Sequence, residues 1–335
     1  MIKAVFMSQG YNKDLIDQVY SVECIRQINE YAEIYSELVD KENLEKNKAY
    51  LKNVEVIFST WGMPELTGDE IQRYFPCLKT VFYAAGSVQD FARPFLEKGI
   101  TIVSAWAANA VPVAEYTLAQ IILANKGFTQ NAIKAKKDYQ SARDYSKTFP
   151  GNYSIKVGIL GAGMIGKKVI ELLKPFNLAV MVYDPFLSGE AADQLGVMKG
   201  SLEEVFSQCQ TITNHIANLP ATIGMLNGVH FDKMLPNATF INTGRGAQVV
   251  EKDLIHALKA VPTRTAILDV TDPEPPLCGS ELLKMENVII TSHIAGSMER
   301  EVERMGCYMA DEFVRYVTGG ALQYNVTLKM LETMA

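Results

Sequence analysis

Three side chains that together can reduce a carbonyl follow short apolar runs in the last third of the chain. Arg245 stands in Asn242-Thr243-Gly244-Arg245-Gly246, Glu274 in Asp269-Val270-Thr271-Asp272-Pro273-Glu274-Pro275, and His293 in Thr291-Ser292-His293-Ile294-Ala295-Gly296. Arginine offers a planar fork that grips a carboxylate through two parallel hydrogen bonds, which lysine cannot do. Histidine titrates near neutral pH and can give or take the proton of a carbonyl oxygen. A glutamate bonded to the far ring nitrogen would orient the imidazole and favour its charged form. With a hydride donor added, this set suits the reduction of a 2-oxo acid. Singly, each residue has a plainer reading: Arg245 as a helix cap or surface ion-pair partner, Glu274 as an exposed loop acid, His293 as a structural residue after a strand. Only their joint position, at three strand ends of one sheet, points to chemistry.

The hydride donor is indicated by Ile155 to Pro185. Ile155–Leu160 is an apolar run rich in β-branched residues, as in a buried parallel strand. Gly161, Gly163 and Gly166 follow in G-x-G-x-x-G spacing, then a helix with Ile165, Val169, Leu172 and Leu173 on one side, and a second strand, Leu178–Tyr183. Gly161 allows the tight turn, Gly163 lets backbone N–H groups reach a pyrophosphate, and Gly166 lets the helix close on the strand. The helix start at Met164 and Ile165 turns its positive dipole end to the phosphates. Asp184, 18 residues beyond Gly166, stands where an acid bonds the ribose hydroxyls. Pro185, Phe186 and Leu187 offer no cation for a 2′-phosphate, so NAD is expected rather than NADP. S-adenosylmethionine is another ligand of such loops, but it leaves the Arg–Glu–His set without a role. Residues just past strand ends face the nucleotide, which adds Thr243, Asp269 and Gly296 to the cofactor set.

These side chains need a scaffold of alternating strands and helices. The N-terminal third supplies strand candidates at Ile2–Met7, Ala32–Tyr35, Val54–Ser59, Lys79–Tyr83 and Ile100–Val103, with helices such as Asp14–Ile28 and Asp69–Phe75 between them. It carries no phosphate loop, so it reads as a partner domain with a parallel sheet. Two of its loops fall at strand carboxyl ends: Ser59 to Pro64, with Trp61, and Ala84 to Ser87. The small residues Ala85, Gly86 and Ser87 would let backbone amides approach a carboxylate; an ordinary turn over a core Trp61 is the competing reading. A long apolar helix starts near Pro112 and links the domains, 134–150 is a solvated connection, and a last helix runs from Met298 to Val317.

Composition sets limits. The 335 residues suggest two domains, and a net charge of −6 gives no footprint for nucleic acid. An anionic substrate must therefore meet a local cation. No apolar run approaches a membrane span, and the charged residues near the N-terminus argue against a signal peptide. The five widely spaced cysteines form no C-x-x-C pair, so neither a disulfide framework nor a metal site is expected, and a reducing cytoplasm fits best.

The sequence resembles the D-isomer-specific 2-hydroxyacid dehydrogenases over nearly its whole length. The resemblance rests on the Asn109-Ala110-Val111-Pro112-Val113-Ala114-Glu115 helix start, the Gly161–Gly166 loop with Asp184, the block from Met234 to Val250, the Glu274 motif and the segment Asn287 to Gly296. It implies an α/β protein of two doubly wound parallel-sheet domains: a Rossmann NAD domain at 107–297, and a flavodoxin-like substrate domain from 1–106 and 298–335. It also implies a homodimer built on the NAD domains. Arg245 becomes the carboxylate arginine, Glu274 the partner of the acid/base His293, and Ala85, Gly86 and Ser87 the backbone carboxylate site; apart from the resemblance, the loop position of Trp61 points to an apolar pocket for the substrate side chain. His215 is expected to be a structural residue on the cofactor side. Three departures stand out: Ser292 replaces the proline before the histidine, Thr271 replaces a phenylalanine, and His215 to Pro220 lengthens the turn after its strand. The family also includes NAD(H)-sensing regulators and corepressors, an alternative in which the fold binds the nucleotide without turnover.

Overall fold

Both faces of the first sheet are apolar, which explains why its strands read as continuous runs rather than alternating ones. These strands are β1 (Ile2–Met7), β2 (Ala32–Ile34), β3 (Val56–Ser59), β4 (Thr80–Tyr83) and β5 (Thr101–Ser104). All are parallel, in the order β5-β4-β3-β1-β2. Successive residues point to opposite faces. Val5, Ile57, Val81 and Ile102 pack on one side, and Ala4, Phe6, Phe58, Phe82 and Val103 on the other. The second face is closed by the helix Val302–Val317, whose Phe313 meets the Phe58 ring edge-on at 5.2 Å. We describe residues 1–334 of a computed structural model, the side chain of Tyr11 excepted. The chain divides into two units, Met1–Asn109 with Ser297–Ala335, and Ala110–Gly296.

In the second unit the strands are β6 (Lys156–Leu160), β7 (Ala179–Tyr183), β8 (Met198–Lys199), β9 (Thr211–Asn214), β10 (Thr239–Asn242), β11 (Thr265–Leu268) and β12 (Val288–Ile290). Their order is β12-β11-β10-β9-β6-β7-β8, all parallel. The order reverses between β6 and β9, and in such sheets ligands bind at the carboxyl ends beside that point. One further strand, β13 (Asn325–Val326), returns to the first unit and pairs antiparallel with β5.

Several elements differ from expectation. The stretch Asp14–Ile28 is two helices, Lys13–Val19 and Val22–Asn29, because Tyr20 turns inward. Its buried hydroxyl donates to the carbonyls of Ser59 and Phe82 at 3.0 and 3.2 Å. The helix expected to start near Pro112 begins six residues earlier, as Trp106–Ala124 with Pro112 inside it. By length and composition that helix could cross a membrane, contrary to the sequence reading. Ala108, Ala110, Val113, Ala114, Thr117, Ile121 and Ala124 are nonetheless buried in the protein. The segment expected as a solvated connection is mostly helical, in Phe128–Lys137 and Tyr139–Ser146. Asp138 separates the two and caps the second by accepting from the Ser141 amide, while Lys134, Lys136 and Lys137 complement the end of the first. β8 and β13, two residues each, carried too little pattern to be seen.

Candidate active site

Backbone crowding makes the glycine loop after β6 specific. Gly161 has φ +91, and a Cβ there would lie 2.7 Å from the His215 carbonyl oxygen; a Cβ on Gly166 would lie 2.0 Å from the Gly161 oxygen. A Cβ on Gly163 meets nothing within 4 Å. The first two glycines are required by the protein itself, whereas the third keeps space clear. That space lies at the start of the helix Met164–Leu173, whose N-cap Gly163 has no side chain to satisfy the first amides. An anion is therefore the fitting occupant, and a pyrophosphate suits the cradle. Gly166→Ala should lower stability by about 3 kcal/mol through overpacking, whereas Gly163→Ala should leave the thermal midpoint nearly unchanged and weaken NADH binding. Fluorescence titration and melting of both variants check this; equal melting losses would refute the division of roles.

Asp184 follows β7 and is half-buried. Its carboxylate accepts the Ala162 amide through Oδ2 and the Phe186 amide through Oδ1, both at 2.7 Å. It thus holds the glycine loop while each oxygen keeps a second lone pair for a ribose hydroxyl. The sheet brings in one cation the sequence did not place there, Lys199 on β8, but its ammonium donates to the Leu187 carbonyl at 2.6 Å. Asp184→Ala should cut the preference for NADH over NADPH by about tenfold or more, the scale of one lost charge-assisted bond. An unchanged ratio of the two affinities would contradict the ribose assignment.

His215, after β9, is 9 % exposed. Its ring nitrogens meet the hydroxyls of Thr213 at 3.1 Å and Thr243 at 3.4 Å. Burial pushes the imidazole down to about 3, so it remains neutral across the working pH range. Unfolded, the ring takes up a proton near pH 6.5; folded, it refuses one until about pH 3. Stability is therefore full above about pH 6.5 and falls with acidification, by on the order of 5 kcal/mol in all. Replacing His215 by Gln should flatten urea midpoints compared between pH of about 7 and about 4; parallel declines would exclude His215 as the source.

A network of buried amides shapes the arginine loop. Asn214 donates to the side-chain oxygens of Asn242 and Gln248 at 3.0 and 2.6 Å. Asn242 donates to the Arg245 carbonyl at 3.1 Å, and Gln248 to the carbonyls of Ile216 and Ala217. Arg245 is extended, at φ −141 and ψ 145, and half-buried. Its Nη1 donates to the Gly244 carbonyl at 2.8 Å. A Cβ on Gly246 would lie 2.0 Å from the Thr271 carbonyl carbon, so the arginine and glutamate loops interlock there. The sequence reading gave no role to Asn214, Asn242 and Gln248; amide side chains at two strand ends and one in the turn after the arginine were the available signal.

His293 and Glu274 meet, with Nδ1 2.8 Å from Oε1 and both side chains 44 % exposed. A carboxylate only accepts, so Nδ1 carries the hydrogen and Nε2 is the nitrogen left to exchange a proton. His293 has φ +59, a left-handed conformation costing about 1 kcal/mol or more in a non-glycine residue. Asp269 holds it. That carboxylate, 2 % exposed, accepts the Thr291 hydroxyl at 2.6 Å and the Ile294 and Ala295 amides at 2.8 and 2.9 Å. Each such charge-assisted bond contributes about 1.5–3 kcal/mol, more than the strain. Asp269, assigned above to the cofactor, has its carboxylate turned into the histidine loop. Gly296 is half-buried at the last position of this unit. Because β10, β11 and β12 are adjacent and parallel, Arg245, Glu274 and His293 leave one edge of one sheet.

In the first unit, the Thr60 hydroxyl donates to the Ala84 carbonyl at 2.8 Å, and the Ser104 hydroxyl to those of Ala85 and Gly86 at 2.8 and 2.7 Å. In a trans peptide the N–H opposes the C=O, so the amides of Ala85, Gly86 and Ser87 point away from these hydroxyls. Trp61, 38 % exposed, stands on the loop after the neighbouring β3.

A Rossmann sheet with a glycine cradle, and a His–Glu pair at the same sheet edge, mark a dinucleotide-binding protein. Residues 118–295 match the model "D-isomer specific 2-hydroxyacid dehydrogenase, NAD binding domain", and the chain belongs to that family, with NAD as its nucleotide. It is 31 % identical over 238 residues to a D-3-phosphoglycerate dehydrogenase of Archaeoglobus fulgidus, covering 70 % of this chain and 44 % of that one. With the enzyme of the same name from Methanocaldococcus jannaschii it shares 29 % identity, covering 91 % of this chain and 57 % of the other. The chain thus spans about half the length of the curated relatives it matches. Among solved structures, a phosphoglycerate oxidoreductase from Rhizobium etli superposes with a TM-score of 0.81 at 20 % identity, over 99 % of this chain and 100 % of that one. The apo D-mandelate dehydrogenase of Rhodotorula graminis gives 0.80 at 18 %, over 97 % and 98 %. Both show the shared fold.

Proposed function

We propose that this protein reduces small 2-oxo acids to D-2-hydroxy acids with NADH, and runs the reverse with NAD. The observation that carries this reading is the 2.8 Å His293–Glu274 pair at the sheet edge that also bears Arg245 and the glycine cradle. Bound in the cradle, the dinucleotide supplies or accepts the hydride. Arg245 grips the substrate carboxylate as a fork. In the first unit, the amides of Ala85, Gly86 and Ser87 are neutral donors of the kind that suit a carboxylate, and Trp61 is an apolar surface that suits a side chain. His293 holds the exchanging proton at Nε2 and delivers it to the carbonyl oxygen, while Glu274 fixes the orientation of the ring. A second copy is proposed to pair through the second unit, where Phe128, Tyr139 and Tyr153 expose large apolar surface.

The test is a panel of 2-oxo acids, including glyoxylate, pyruvate, hydroxypyruvate, its phosphate and branched or aromatic members, followed by loss of NADH absorbance. Turnover of at least one member, with a D-configured product, is expected. NADH binding with no consumption across the panel would replace the enzyme by a nucleotide sensor.

A further inference from the structure

Cys24 and Cys307, 283 positions apart in sequence, have their sulfurs 3.3 Å apart. Cys24 is buried in the helix Val22–Asn29, and Cys307 is partly exposed on Val302–Val317. The two helices are packed tightly: a Cβ on Gly306 would lie 2.0 Å from the Val19 carbonyl oxygen just before the first of them. The Ser21 hydroxyl donates to the Cys24 sulfur at 3.4 Å. A disulfide has its sulfurs ~2.05 Å apart, so a shift of little more than an ångström separates contact from bond. The remaining cysteines have no such arrangement: Cys77 and Cys278 are exposed, and Cys209 is buried in the other unit.

We infer that Cys24 and Cys307 form a reversible disulfide, made by exchange with a small-molecule disulfide, that fastens the carboxyl-terminal helix to the amino-terminal one. The Cys307 thiolate attacks the small disulfide, one half leaves as a thiol, and a mixed disulfide remains. The Cys24 sulfur then attacks Sγ of Cys307 and expels the second half. Two protein thiols lose two electrons and two protons, and one small disulfide becomes two thiols. Burial foremost, then Cys24, Glu303 and Asp311, push the Cys307 thiol up to about 12. The first exchange is therefore slow at neutral pH, and the equilibrium position rather than the rate carries the test.

The experiment uses the full chain with Cys77 and Cys278 changed to Ser, equilibrated with oxidised glutathione and then alkylated under denaturing conditions. Expected are a loss of two hydrogens, a peptide linking Val22–Asn29 to Val302–Val317, and a rise in melting midpoint of about 5 °C or more that dithiothreitol reverses. Cys307→Ala in that background should abolish both the link and the rise. The inference is overturned if both thiols are alkylated after equilibration, or if glutathione remains on Cys307 with no link. Reading mass and melting rather than turnover keeps this result separate from the proposed reaction.

Discussion

His293→Ala should lower kcat for 2-oxo acid reduction by about 10²–10⁴-fold, the range for losing a positioned general acid. Dissociation of NADH should change little, because the glycine cradle and Asp184 lie on other strands of the sheet. The expectation rests on two observations: Nδ1 is committed to Glu274, leaving Nε2 to exchange the proton, and Asp269 anchors the loop independently of the imidazole. The loop should therefore survive removal of the ring, so the loss would belong to proton transfer rather than misfolding. Single-turnover NADH oxidation measures it directly. A rate within about threefold of the parent would remove His293 from the chemistry.

Arg245→Lys is expected to lower kcat/KM by about 10²-fold, near 3 kcal/mol, although the charge is kept. An ammonium is a point donor and cannot match two carboxylate oxygens in one plane. Buried amides of Asn214, Asn242 and Gln248 hold the loop backbone, so the variant should change the side chain and little else. A 2-oxo acid amide, which lacks the carboxylate, gives the control: both proteins should handle it equally poorly. If lysine serves as well as arginine on the acid, the fork assignment fails.

Much of this site could be read from the sequence because each part is a local pattern. The glycine spacing, the acid after the second strand and the polar residues beyond β10, β11 and β12 all follow apolar runs of recognisable length. The fold class was readable for the same reason, since most strands of both sheets are continuous apolar runs. What escaped depends on contacts between distant residues. Tyr20 breaks a helix because its hydroxyl finds carbonyls on β3 and β4, which no periodicity encodes. The anchoring of the histidine loop by Asp269 was not legible, because its oxygens sit on amides more than twenty positions later. Cysteine spacing gave no hint of Cys24 beside Cys307, because two helices from opposite ends of the chain bring them together. The helix containing Pro112 was expected to start too late because proline's usual place at a helix start outweighed the residues before it.

The first sheet takes its closing pieces from the far end of the chain: the helix Val302–Val317 on one face and β13 at the edge of β5. During synthesis, the 187 residues of Ala110–Gly296 must emerge between the two parts of that unit, which takes roughly 10 to 40 s at ribosomal speed. The nucleotide-binding unit can mature in that interval, whereas Phe58, Phe82 and their neighbours must wait uncovered for Phe313. A nascent chain arrested before the last helix should accordingly bind NADH while still recruiting chaperones through its amino-terminal third.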